Sequence, residues 1–416
     1  MANSFVEDIE TYFKDVIESF DATNLAAGTV NKYEADAGRL QNTAQTFYRP
    51  VQLFTETQDG RDLSGNEKDL TELTVPSTLA DTHLRNVYFS LTGVDLNNER
   101  IRQRAATATA RQLSARLDTL VAQKIVDDAT LLVTNSGNID SYDDVAEAES
   151  IMVEQQSDQG DRCIFLNPRM ATNIAGNLAG RGTMQGFPTS AYTSTDIPQI
   201  AGFGTYRNQY MPSVTGSTGS GYLVNGANQD YTPLTHDANG VPVDNRTSTL
   251  TVDTGSNAAV GDFFTIAGVN SVGHINKQDT GELKTFRIKA INGAVWTISP
   301  PIVPADGSDQ AQKDYPTVNT TPADNAAITI LNTTTKKASA FFQKNAIEIV
   351  HGDYNLDDFN REGKLMGYST TDNGIGIAML CESDVPTLVS RYRIFIWTNV
   401  EVLQPESVGL FLEGQS

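Results

Sequence analysis

The sequence predicts an α+β protein: a body of helices and mixed sheet organised around one long helix, with a small antiparallel β-barrel inserted into it. Three observations carry this prediction. Residues 97–128 contain neither Gly nor Pro and are rich in Ala, Leu, Arg and Gln, all strong helix formers. Residues 213–338 turn to Thr, Asn, Gly and Asp, with short period-two runs between turn signals. Strand-like runs at 345–350 (NAIEIV) and 392–397 (YRIFIW) then resume the earlier style, so the parent domain takes chain from both sides of the barrel.

In chain order, the first element is an amphipathic helix. Phe5, Val6, Ile9, Phe13, Val16, Ile17 and Phe20 fall within about a third of the helical circle, and Glu7, Asp8, Glu10, Lys14, Asp15, Glu18 and Asp21 fill the rest. So large a stripe must dock on the chain's own body, on a neighbouring subunit or on a separate basic partner. From 22 to 46 the pattern fades into a polar arm. Residues 47–79 read as a long hairpin, YRPVQLFTET and KDLTELTVPST around turn signals at Gln58-Asp59-Gly60 and Ser64-Gly65-Asn66. Such a hairpin buries little by itself, so it is either disordered or laid across a neighbour.

The long helix follows. Ala106, Ala110, Leu113, Leu117, Leu120 and Val121 recur at spacings that place them on one stripe, while Arg100, Arg104, Arg111 and Asp118 fall together elsewhere. At about 1.5 Å per residue it makes a rod of roughly 45 Å, far beyond the ordinary globular helix of about 11 or 12 residues. It reads as a spine for flatter elements. Next come helical periodicity in DDVAEAESIMVEQQ, a short buried strand at 162–166, a helix opened by Asn167-Pro168, and an irregular Gly-rich stretch at 180–204. In the barrel, Leu250 and Val252, then Phe286, Ile288 and Ala290, then Trp296 and Ile298 alternate with Thr249, Thr251, Asp253, Thr285, Arg287, Lys289, Val295 and Thr297. Asn292-Gly293 marks a hairpin turn. A polar loop at 235–245, with Asn239-Gly240 at its tip, is suited to protrude.

The 416 residues are enough for about two or three domains with a real core. No apolar run approaches the roughly 18 residues a membrane span needs, and the N-terminus lacks the basic start and apolar core of a signal peptide. These features point to a reducing cytosol. Cys163 and Cys381 admit one disulfide or two buried thiols, and the compartment favours thiols. The net charge of −21 opposes wrapping of nucleic acid, which needs clustered Lys and Arg. It suits solubility, or a container that holds DNA without adhering to it.

The chemistry of an active site is missing from the pattern. His83, His236, His274 and His351 lie far apart, without HExxH, HxH or Cys-His spacing. There is no GxSxG elbow, and Gly180, Gly182 and Gly186 lack the Lys-Ser/Thr of a phosphate loop. Asp127-Asp128, Asp143-Asp144 and Asp357-Asp358 are pairs to be expected on solvated faces in a chain with 51 acids. The expectation is no catalytic, cofactor or metal site and no cofactor.

A set of landmarks in fixed order goes further. They are Arg49-Pro50-Val51-Gln52, TQDGRDL at 57–63, LTELTV at 70–75, VDNR at 243–246, GDFFTIAGV at 261–269 and PESVGL at 405–410, ahead of a final GQS. In these the chain resembles the major coat proteins of short-tailed Salmonella-type bacteriophages, which have the tailed-phage and herpesvirus capsid fold with an added insertion domain. The likeness runs from arm to C-terminus and is weaker in the axial domain and the second half of the insertion. It implies an N-terminal arm (1–46), an E-loop hairpin (47–82), a peripheral domain with the spine helix (83–150), an axial domain in two parts (151–212 and 339–385), the inserted barrel (213–338), and a C-terminal strand returning to the peripheral domain (386–416).

The same resemblance implies a structural protein and no enzyme: hexamers and pentamers closing into an icosahedral head around double-stranded DNA, with no membrane. Assembly would take place in the bacterial host cytoplasm with a scaffolding protein and a portal protein, and the shell would expand on packaging. Asp15, Glu18 and Asp21 are then the candidates for scaffold contact. Asp237, Asp244 and Arg246 are candidates for contact between capsomers, on a tip with no hydrophobic anchor. Asp59, Gly60, Arg61 and Lys68 mark the E-loop tip, where Lys68 is expected to be solvated and not cross-linked. Two rivals remain: a nanocompartment shell around cargo enzymes and, remotely, a carbohydrate-active enzyme using paired carboxylates.

Overall fold

The computed structural model describes residues 4–35, 44–57, 61, 68, 70–92, 95, 98–158, 160–180, 197, 199–253, 255–352, 365–371, 373–384 and 389–415. The chain folds as two compact units, one from 1–47, 77–122 and 347–401, the other from 48–76, 123–346 and 402–416.

In the first unit a six-stranded sheet runs in the order Asn31–Ala35, Ile347–Gly352, Val389–Val402, Gly376–Asp384, Leu365–Thr370. Leu84–Thr92 also pairs antiparallel along Val389–Trp397. The run at 392–397 is therefore the buried centre its apolar residues predict, with Tyr392, Ile394 and Ile396 fully buried. The polar arm departs from its featureless pattern: Asn31–Ala35 is a strand, paired in parallel with 348–352. Ladder hydrogen bonds recruit it, and these leave no period in the side chains.

The helix Ser4–Thr23 packs Tyr12, Val16 and Phe20 out of solvent. The spine helix is Glu99–Asp128. Ala106, Ala110, Leu113, Leu117 and Val121 are buried as the stripe requires, and Leu120 is half-buried. Asp118 differs in burial from the arginines it was grouped with. Arg100, Arg104 and Arg111 are exposed, but Asp118 is 3% exposed, and its carboxylate accepts from the Ala26 amide at 2.9 Å. Burial pushes it up to about 6.

The second unit holds a six-stranded mixed sheet in the order Leu131–Asn135, Val408–Glu413, Ser339–Gln343, Arg162–Leu166, Phe203–Arg207, Gln199–Ile200. Helices Tyr142–Glu154 and Pro168–Gly180 complete its core through Val145, Met152, Met170 and Ile174, against Ile164, Phe341 and Phe411. Ser141 and Asp144 form the capping box that starts the first helix. The stretch 339–385 thus divides: 339–343 pairs with Arg162–Leu166, whereas Ile347–Gly352 and the strands after it join the other unit's sheet.

The barrel sheet runs Ser248–Thr251, Val295–Ser299, Asp279–Asn292, Phe263–Val272, Ile328–Ile330, all antiparallel. Its edges are joined by a segment at 222–225. Val224 bridges Val252, Leu223 bridges Ala327, and the amides of Val224 and Asn225 donate to Ala326 and Thr251 on either side. Leu250, Val252, Phe286, Ile288, Trp296 and Ile298 fill the interior as the alternation predicts. Ala290 does not; it is exposed, because a bulge between Ile288 and Ala290 shifts the register. The turn falls on Gly293 and Ala294, with Gly293 at φ 62°.

Candidate assembly surfaces

The N-terminal helix is fixed by an aromatic cluster. The Tyr12 ring lies 6.3 Å from Phe89 and 5.8 Å from Tyr392, which stack on each other at 5.5 Å. Its hydroxyl is hydrogen-bonded to Thr109, and burial pushes it up to about 12. The hydroxyl kept Tyr12 out of the sequence-derived stripe, although its spacing of four to Val16 and eight to Phe20 was the available signal. Of the acidic candidates, Glu18 is exposed and Asp15 half-buried. Asp21 accepts from the Asn373 amide at 3.4 Å, so it helps hold a turn of its own unit.

The hairpin pairs Ala44–Pro50 with Thr74–Ala80, and beyond them the Val51 amide donates to Leu73. Further out, Lys68 is exposed and reaches across to Glu56 at 2.5 Å, and its ammonium holds the Glu56 carboxyl below the usual range. Arg61 is exposed, while Asp59 and Gly60 lie outside the described residues. Phe54, which the sequence did not single out, stacks on His274 at 5.5 Å and meets the Tyr315 ring edgewise at 5.8 Å. The Tyr315 hydroxyl donates to the Thr71 carbonyl at 2.7 Å. Both legs of the hairpin therefore rest on the barrel.

The loop 235–245 is shaped by its own side chains. At the tip the Asp237 carboxylate accepts from the amides of Val241 at 2.9 Å and Asn239 at 2.8 Å, which hold it below the usual range, and Gly240 takes φ 77°. Asp244 and Arg246 stand at the base. They form a two-pronged pair at 2.9 and 2.7 Å, and Arg246 also donates to the Val402 carbonyl at 2.9 Å. Asn245 accepts from the Leu234 amide and donates to its carbonyl, both at 2.9 Å, closing the loop's neck. Apolar surface lies in and beside the loop, with Val241 47% exposed within it and Leu234 50% exposed just before it.

Deeper in this unit lies an ion cluster that no local spacing announced. Lys284, fully buried, meets Glu406 at 2.5 Å, and His274 is 3.4 Å from the same oxygen. Burial opposes ionisation of Glu406, but Lys284 prevails and holds it below the usual carboxylate range; burial pushes His274 down. Among the described residues no group of His, Cys, Asp and Glu is placed to hold a metal ion. Asp144 caps its helix and Asp128 is paired with Lys124 and Lys289. Asp357-Asp358, Gly182 and Gly186 lie outside the described residues. Cys163 and Cys381 are free and buried.

Comparison with known proteins places the chain in a family. Residues 1–414 match the family model described as P22 coat protein - gene protein 5. Among solved structures, the CUS-3 coat protein I-domain is 47% identical over 28% of this chain and 99% of that chain, with a TM-score of 0.24. A Mycobacterium phage Che8 structure is 11% identical over 93% of this chain and 90% of that one, with a TM-score of 0.43. A virus-like particle from Pyrococcus furiosus is 7% identical, covering 97% and 98%, at 0.42. Matched from its first residue to residue 414, the chain belongs to the P22 coat protein family and is a bacteriophage capsid protein of tailed-phage fold, a component of the virion that joins copies of itself in an icosahedral shell.

Proposed function

We propose that the subunit forms the hexamers and pentamers of a precursor shell, built on an internal scaffolding protein, which expands as double-stranded DNA enters through a portal protein. The supporting observation is the way the N-terminal helix is spent. Tyr12, Val16 and Phe20 are buried within the subunit, which leaves Glu18 exposed and Asp15 half-exposed for a basic helical end of the scaffold. Such charge pairs are worth about 0 to 1 kcal/mol each, so the contact is weak, reversible and sensitive to salt. A temporary partner needs those properties. The acidic balance of the chain limits adhesion to the packaged genome.

In the same reading the tip around Asp237 contacts the neighbouring capsomer, with Asp244 and Arg246 holding the loop in shape. The hairpin tip, with Asp59, Gly60 and Arg61, lies over the adjacent subunit. Many weak contacts per subunit then act together once the shell closes. The test is co-expression with scaffold, scored by negative-stain microscopy. Asp15→Lys with Glu18→Lys should abolish scaffold-directed shells and leave the subunit's unfolding transition in place. Normal scaffold uptake by the double variant at low salt would refute the proposed contact. Complete shells from the wild-type chain without scaffold would favour the nanocompartment reading instead.

A further inference from the structure

Left to itself, the spine helix has an unfavourable end. Its last residues are Asp127 and Asp128, it has no basic residue in the last turn, and Ala129 rather than Gly follows. Two carboxylates thus sit at the negative end of the helix dipole, and the final carbonyls need partners from elsewhere. One barrel strand, Asp279–Asn292, supplies partners for the final carbonyls and for Asp128. Arg287 donates to the carbonyl of Val126 and, at 3.4 Å, to that of Ala129. Lys289 donates to the Asp127 carbonyl and pairs with Asp128, each at 2.6 Å. The helix itself adds Lys124, 3.0 Å from Asp128, and Gln123, whose side-chain amide donates to both carboxylate oxygens of Asp127 at 2.9 and 3.0 Å.

Alternation along the strand predicts that Arg287 faces water. It is instead 5% exposed, with its guanidinium 4.7 Å from the centre of the Phe263 ring. A guanidinium is buried at that cost only where its partners are fixed. Burial opposes the charge of Asp128 as well, yet Lys289 and Lys124 hold it below the usual carboxylate range.

We infer that the barrel is the electrostatic cap of the spine helix: Arg287 and Lys289 determine where that helix ends, and its last turns are ordered only while the barrel strand is in place. The insertion is then a working part of the body and not an appendage.

Hydrogen exchange of the full-length, unassembled chain, read by mass spectrometry, tests this. Arg287→Met keeps the side chain's length and its packing on Phe263; Lys289→Met removes the second cation. In each, peptides covering 117–130 should exchange about tenfold faster or more, the effect of losing one charged hydrogen bond on a local opening, while barrel strands between 248 and 299 keep their protection. Unchanged protection of 117–130 in both variants would overturn the inference. Should Arg287→Met unfold the barrel as well, the charge swap decides: Lys289→Asp should accelerate exchange at the helix end, and adding Asp128→Lys should restore it. A swap that restores nothing shows that the helix end does not depend on these charges.

Discussion

The barrel and the outer legs of the hairpin, 51–57 and 70–72, treat their apolar residues in opposite ways, whereas the hairpin's base buries Phe47, Val75 and Leu79. In the barrel, the segment at 222–225 joins the two edges, and Phe264, Phe286 and Trp296 pack ring on ring inside. In the outer legs of the hairpin, Leu53 and Leu70 stand 47% and 66% exposed, and Phe54 finds its partners on the barrel. A sheet whose pattern is completed by its own neighbours stabilises itself. A hairpin whose pattern is left open is stabilised by whatever it is laid against. Asp118 stands between these cases, completed by the Ala26 amide far away in its own chain.

Substitutions should follow that order. Trp296→Ala removes a ring that is 1% exposed and should cost roughly 3 to 5 kcal/mol in denaturant unfolding; a loss below about 1 kcal/mol would mean the barrel core is not self-sufficient. The isolated barrel 213–338, with sequential strands and local turns, should likewise give dispersed amide spectra, and a collapsed fragment would show that it borrows stability from the body.

Asp118 comes next. Its carboxyl is raised from 3.8 to about 6 in the fold, so between those values the folded state holds more protons than the unfolded one, and stability falls as pH rises through this window. Asp118→Asn keeps an acceptor for the Ala26 amide without the charge. It should match the wild type near pH 4 and gain on the order of 2 to 3 kcal/mol above pH 6. Parallel stability–pH curves for the two proteins would contradict this. Phe54→Ala should lose about 1 kcal/mol and speed exchange in the hairpin legs before it affects the barrel. The smallest effect belongs to Lys68→Ala, whose pairing with Glu56 is about one-third open to solvent and should be worth less than about 1 kcal/mol. Mature particles boiled in detergent should run as monomers, and a covalent ladder would assign Lys68 a different chemistry.

What could be read from the sequence divides along the same line. Periodicity disclosed the spine helix, the N-terminal helix and the barrel strands, because each completes its pattern over a few residues. It failed at Asn31–Ala35, where backbone pairing alone makes the strand, and at Ala290, where one bulge inverts the alternation. It failed again at Asp118 and Arg287, polar residues off the apolar stripes that are buried by partners remote in sequence. The loop 235–245 announced its tip through Asn239-Gly240. Its apolar flanks and the role of Asn245 in closing the neck depend on a fold that local pattern does not describe. Lys284, His274 and Glu406 share no local spacing, so their meeting was invisible.

The two short strands at the barrel's base have a consequence for engineering and descent. Ser213 pairs with Lys337 and Val214 with Lys336, antiparallel, so the chain leaves the body and returns to it at one place. A segment held by so narrow a neck can be exchanged without moving the strands on either side. Lineages can gain or lose such a module by a single recombination, and a foreign domain with adjacent termini can be grafted there for display on a particle. The graft carries conditions, the first being that Glu406 loses Lys284 and His274. With the barrel strand gone, Asp127 and Asp128 lose Lys289 and Arg287, so a recipient body needs neutral or basic residues at those two positions before it accepts a new passenger.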